Sequence, residues 1–250
     1  GLEAARVAAK KGHSVTLFEN AIELGGQLNI ANVPPRKSEI DRAVEDLAHA
    51  IHCEGVTLRM GEMATAQSVL ALAPDAVIVA VGASNFIPAI QGIDGVNVRN
   101  AWKVLAGEQA VSGRVVVVGG GMVGCETAEY LAEQGCQVSV VEMSNKIASE
   151  VGMTVLPTML EFFKDHAIAQ FTGHKVINIT ADEVICENQD GQTVKIPCDY
   201  VVMASGSRSV KFDTAPLTDK GISVVEIGDC RKVANISQAI KTGYEAANAL

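Results

Sequence analysis

Residues 114–142 read RVVVVGGGMVGCETAEYLAEQGCQVSVVE. Gly119, Gly121 and Gly124 stand in G-x-G-x-x-G spacing directly behind a run of valines, and Glu142 follows eighteen residues after the last glycine. These residue types hold an anion and a sugar; they do not break bonds. Gly119 suits a tight turn, and Gly121 lets backbone approach a pyrophosphate, with Met122 and Val123 beside it. Gly124 lets a helix lie close on the preceding strand. The helix expected from Cys125 to Glu133 would face the anion with its N-terminus, and Glu142 would accept from ribose hydroxyls. Such a loop works only between a buried strand and a helix, so Val115 to Val118 is expected to be a strand covered on both faces of a parallel sheet.

The same element occurs a second time. With an offset of 123, Gly1 falls on Gly124, Glu3 on Glu126, Ala5 on Ala128, Ala9 on Ala132, Gly12 on Gly135, Val15 on Val138 and Glu19 on Glu142. VIVAVGAS at 77–84 likewise matches VVMASGSR at 201–208, aligning Gly82 with Gly206. The chain therefore reads as two nucleotide-binding halves. A helix with the apolar positions Leu2, Ala5, Val7, Ala8 and Ala9 should open at Gly1 and end at Lys10 to Gly12, with a strand following up to Glu19. On this reading Gly1 is the third glycine of a loop whose strand and first glycines lie upstream, and the first half is truncated.

Other segments offer polar contacts. In LGGQLNIANVPPRKSEI (24–40), Gly25 and Gly26 free the backbone, Gln27 offers an amide, and Pro34-Pro35 breaks the chain before a helix over about 39–53. Near the end, Gly228-Asp229 follows a strand and precedes a helix beginning near Ile236; Asp229 could accept from a polyol. The histidines at 13, 49, 52, 166 and 174 are expected at helix ends or surfaces without partners, so no catalytic residue is assigned.

Composition narrows the class. The chain has 250 residues, is 48% hydrophobic and carries a net charge of −9. With no basic run to track phosphates, no nucleic-acid partner is expected. No apolar run reaches membrane-spanning length, and a cytoplasmic protein is expected. The six cysteines, at 53, 125, 136, 186, 198 and 230, form no C-x-x-C or C-x-x-x-x-C pair, and no ligand-spaced set with histidine suggests a metal. Reduced core thiols follow, and reduction of a dithiol substrate is not expected.

Taken in order, the opening helix, GGQLNIANVPPRK, AVGA, VVVVGGGMVGCETAEYLAEQG, MASGSR and IGDC resemble the C-terminal half of the 2,4-dienoyl-CoA reductase, 2-enoate reductase and trimethylamine dehydrogenase family. The resemblance spans essentially the whole chain. It implies an α/β fold of two Rossmann-like three-layer dinucleotide-binding domains, the NAD domain inserted into an incomplete FAD domain. The FAD domain would take 1–107 plus 224–250, and the NAD(H) domain 108–223. Gly1, Glu19, Gly25, Gly26, Gln27, Leu28, Ala80, Val81, Gly82, Gly228 and Asp229 would lie on FAD. Gly119, Gly121, Met122, Val123, Gly124, Glu142 and Gly206 would lie on NAD(P)H. Val79-Ala80-Val81-Gly82 lacks the threonine often found before that glycine. In the family, FMN and a 4Fe-4S cluster sit in an upstream β/α barrel that is absent from this sequence.

The expected chemistry is hydride transfer from nicotinamide C4 to flavin N5, where positioning matters more than acid–base groups. NADH is expected over NADPH, because Glu142 would repel a 2′-phosphate and the first cation after it is Lys146. The contrasting reading is a non-redox nucleotide-binding or interaction module. The truncated half is expected to hold little FAD and to self-associate through a bared sheet edge.

Overall fold

Val115 and Val117 pack into one core and Val116 and Val118 into another, and all four are buried. A strand covered on both faces produces this pattern. In the computed structural model, which describes residues 1–250, strand Arg114–Val118 is third in a five-stranded parallel sheet. The order is Val98–Asn100, Tyr200–Met203, Arg114–Val118, Gln137–Glu142 and Ala169–Thr172. On one face Val115, Val117, Val138, Val140 and Val202 meet helices Ala101–Leu105, Met122–Glu133 and Leu156–Asp165 through Val104, Leu131, Met159 and Phe163. On the other face Val116, Val118, Val141, Val201 and Met203 meet Val176, Ile179, Val184, Cys186 and Ile196. Those residues belong to an antiparallel meander, His174–Ile179, Glu183–Asn188 and Thr193–Pro197. Three layers result, because alternation along each strand sorts its side chains between two cores.

This assembly is one of two compact units. The first comprises Gly1–Leu28, Glu39–Ser84 and Ser207–Leu250; the second comprises Asn29–Ser38 and Asn85–Gly206. The divisions fall at 84/85 and 206/207, not at the expected 107/108 and 223/224. Strand Val98–Asn100 pairs with Tyr200–Met203, and Ala101, Val104 and Leu105 are buried, which commits that stretch to the second unit. Helix Ala215–Thr218 packs against helix Ala66–Leu70 and commits residues 207–222 to the first. Asn29–Ser38 belongs to the second unit although its sequence neighbours belong to the first.

The first unit has two separate parallel ladders, Thr16–Glu19 with Thr57–Met60 and Ala76–Val79 with Ser223–Glu226. Neither ladder hydrogen-bonds the other. Helix Leu2–Lys10 packs on both, touching Val15 and Leu17 on one side and Ile78 and Ile227 on the other. It also crosses helix Ile236–Asn248 closely: a Cβ placed on Gly243 would lie 3.3 Å from the Ala4 nitrogen. Lys11 Nζ donates to the Asn248 carbonyl at 2.6 Å, placing a cation at that helix's C-terminus. Gly12 and Gly135, matched in the repeat, both take left-handed φ, 95° and 83°, after their helices. No helix is long and apolar enough to cross a membrane.

Phe163 is among the largest fully buried side chains, and its core joins helices to the parallel sheet. Phe163→Ala should destabilise the second unit by about 3–5 kcal/mol, the usual range for emptying such a site. Urea unfolding followed by circular dichroism measures it, and a loss below about 1 kcal/mol would contradict the packing described.

Candidate functional site

The glycine loop sits where the central strand of the second unit gives way to helix Met122–Glu133. The helix begins at Met122, three residues before the expected Cys125, so Met122, Val123 and Gly124 form its first turn. Gly119 has φ 111°, and a Cβ there would lie 2.3 Å from the Ala204 carbonyl oxygen. A Cβ on Gly124 would lie 1.9 Å from the Gly119 carbonyl oxygen. Both positions therefore exclude any side chain. A Cβ on Gly121 would meet nothing within 4 Å. The loop is packed tight on two glycines and open at the third, which is the room a pyrophosphate needs. The helix has no side-chain cap, leaving its first N–H groups for an anion.

Glu142 ends the next strand of the sheet. Its Oε2 accepts from the Gly120 N–H at 2.7 Å, and its Oε1 accepts from the Ser144 N–H at 2.7 Å and from the Ser144 hydroxyl. Burial pushes its carboxyl up, but the bonds from Ser144, Gly120 and Met143 outweigh that and hold it below the usual range. The carboxylate is thus held at the loop by the protein's own donors. Gly120 and Ser144 were not expected from the sequence; Gly120, flanked by two motif glycines, was the available signal. A Cβ on Gly120 would lie 2.8 Å from Glu142 Cβ. Gly206 takes φ 96° with open space around it, and its carbonyl accepts from the Phe86 N–H.

The first-unit residues gather in small groups. Gly1 lies beside Ala80 and Leu17: a Cβ on it would be 3.6 Å from Ala80 Cβ. Gly25 and Gly26 take φ 117° and 55°, and Leu28 starts the short helix Leu28–Ala31. Gln27 reaches Gly82, whose Cβ position is 3.4 Å from the amide nitrogen, and Val81 is exposed. Glu19 Oε1 accepts from the Ala21 N–H at 2.8 Å. Gly228 N–H donates to Thr242 Oγ1, while Asp229 Oδ1 accepts from the Ala234 N–H, so that carboxylate orders its own loop.

Three histidines expected to lack partners have them. His49 Nε2 lies 3.4 Å from Cys53 Sγ one helical turn away. His166 stacks on Phe162 and bonds its carbonyl, and His174 bonds the Thr172 carbonyl and meets Phe171 edge-on. Side chains one turn apart on a helix, or two apart at a strand start, find each other without a pattern that sequence alone displays. All six cysteines are free thiols. Burial pushes Cys125 up to about 12 and Cys186 up to about 11. Burial likewise takes Cys198 to about 11, so these three stay protonated and inert near neutral pH. No group of three or more His, Cys, Asp or Glu side chains is placed to hold a metal. Sequence reasoning also missed the ion pairs of Glu126 and Glu129 with Lys37 and Arg36.

Residues 1–228 match the family described as pyridine nucleotide-disulphide oxidoreductase. The chain belongs to this family. The α/β architecture and parallel sheet of the oxidoreductase are those of its FAD/NAD Rossmann-like fold. It is 54% identical over 251 residues to bilirubin reductase of Mediterraneibacter gnavus (strain CC55_001C), covering 100% of this chain and 39% of that protein. It is 39% identical to NADH oxidase of Thermoanaerobacter brockii, covering 99% of this chain and 39% of that one. The solved 2-naphthoyl-CoA reductase complex superposes with a TM-score of 0.91 at 30% identity, over 100% of this chain and 38% of its own. The chain thus spans about two fifths of the length of the curated relatives it matches, and those relatives are named as a reductase and an oxidase.

The two helix-flanking glycines should respond differently to substitution. Gly124→Ala should destabilise the oxidoreductase by about 1–3 kcal/mol or more through overpacking. Gly121→Ala should leave urea stability within about 0.5 kcal/mol. Equal effects of the two on stability would contradict the open space at Gly121. Acid titration adds a check. A carboxylate whose folded pKa lies below its unfolded one stabilises above the unfolded value, and that contribution fades as pH falls through the folded pKa. Glu142→Gln should therefore lower stability near neutral pH and flatten the acid limb.

Proposed function

We propose that this oxidoreductase is the nicotinamide- and flavin-nucleotide module of a larger NADH-dependent flavoprotein reductase. The observation that carries the reading is the loop closed at Gly119 and Gly124 and open at Gly121. With Glu142 held at its side, it fits a dinucleotide pyrophosphate and ribose. Gly121, Met122, Val123 and Gly124 would hold the pyrophosphate, Glu142 the adenosine ribose, and Gly206 would give backbone room near the nicotinamide half.

In the first unit Gly25, Gly26, Gln27, Leu28, Ala80, Val81, Gly82, Gly228 and Asp229, with Glu19 and Gly1, would line FAD. When bound, that flavin would supply the acceptor for a nicotinamide hydride. The chain's own residues would bind, orient and exclude water. A phosphate cradle like Gly119–Gly121 is not formed in this unit, and its two ladders stay unpaired with each other. An upstream barrel with FMN and a 4Fe-4S cluster would take the electrons onward. Relatives named for bilirubin and for naphthoyl-CoA share this region, which supports placing substrate choice outside it. Its free thiols suit a cytoplasmic setting.

Titration of both cofactors tests the nicotinamide site. NADH should bind more tightly than NADPH, and Glu142→Ala should weaken NADH and narrow the gap; tighter NADPH binding by the unmodified protein would overturn the assignment. Flavin content tests the rest. The chain should be purified with little FAD and should associate through the edges of its two separate ladders. Stoichiometric FAD on the monodisperse chain would overturn the reading of an incomplete FAD site.

A further inference from the structure

The segment Asn29–Ser38 continues directly from the Gly25–Leu28 loop but is packed into the second unit. Two ion pairs to helix Met122–Glu133 hold it there. Arg36 Nη2 lies 2.6 Å from Glu129 Oε1, and Lys37 Nζ lies 2.7 Å from Glu126 Oε1. The Glu129 side chain is only 2% exposed and that of Glu126 11%. Arg36 also covers the Phe162 ring at 5.2 Å from its centroid. Directly after Pro34-Pro35, it takes a left-handed φ of 64°. A residue with a side chain keeps that conformation where its surroundings demand it.

The internal repeat makes the arrangement specific. Glu3, the counterpart of Glu126, pairs at 2.8 Å with Arg6 on its own helix. In the second half the position of Arg6 is Glu129, and the sequence from Met122 to Glu133 contains no Lys, Arg or His. The helix that must attract an anion therefore carries two inward carboxylates about 7 and 12 Å along its axis from Gly121, at 1.5 Å per residue. Unpaired, they would be costly to bury and would oppose the favourable N-terminal field. Both counter-charges come from the strap.

We propose that Arg36 and Lys37 are positioning residues that latch this strap onto the dinucleotide helix. By neutralising Glu129 and Glu126 they couple occupation of the Gly119–Gly124 loop to the order of the Gly25–Leu28 loop. The proposal rests on the reading that the glycine loop binds NADH. Because such coupling is reciprocal, a ligand that favours the latched strap is itself bound more weakly when the latch is broken.

Hydrogen exchange over residues 24–38, with and without NADH, reads the strap, and quenching of NADH fluorescence reads affinity. NADH should slow exchange over 24–38 in the unmodified chain. Arg36→Ala and Lys37→Ala should each speed that exchange, and Arg36→Ala should raise the NADH Kd about tenfold, within the usual span of such coupling. Arg36→Lys should recover most of the affinity by restoring the charge. If NADH binds the unmodified chain without protecting 24–38, or binds Arg36→Ala and Lys37→Ala as well as the unmodified chain, the latch is wrong and the nucleotide reading stands. If NADH does not bind the unmodified chain, both fall together.

Discussion

The approach of helix Met122–Glu133 to the strand beneath it depends on a contact that admits only hydrogen. Gly124 packs against the Gly119 carbonyl so closely that a methyl group would lie 1.9 Å from that oxygen, far inside van der Waals contact. With the helix drawn down onto the strand, Gly121 is left facing open space. The valine run supplies the other half of the constraint. A strand filled on both faces by the two cores cannot shift to relieve strain at its end, so the loop geometry is fixed by packing.

Small residues recur as the means of close approach in the first unit. Gly243 against Ala4 brings helix Ile236–Asn248 onto helix Leu2–Lys10, which in turn touches both parallel ladders. The two halves share this logic but settle their charges differently. The first helix carries its own ion pair, Glu3 with Arg6; the second borrows both cations from a segment nearly a hundred residues earlier in the chain. Around the loop the remaining charge, Glu142, is satisfied by backbone and a serine before any ligand arrives.

The sequence by itself determined the parts governed by local pattern. G-x-G-x-x-G behind four valines specified the strand, the turn and the helix, since Gly124 is forced by the Gly119 carbonyl only five residues before it, whereas Gly119 is closed by the Ala204 carbonyl far along the chain. The offset of 123 disclosed the duplicated element, and the helix over 39–53 was legible from its periodicity. Tertiary structure decided what depends on residues far apart in the chain. The unit boundaries moved because strand Val98–Asn100 adds to the edge of a sheet whose other members lie downstream, which no local signal announces. The Gly120 bond to Glu142, and above all the Arg36 and Lys37 pairs to a helix ninety residues on, were invisible for the same reason. Charges find one another through the folded path of the chain, and spacing along the sequence carries no record of it.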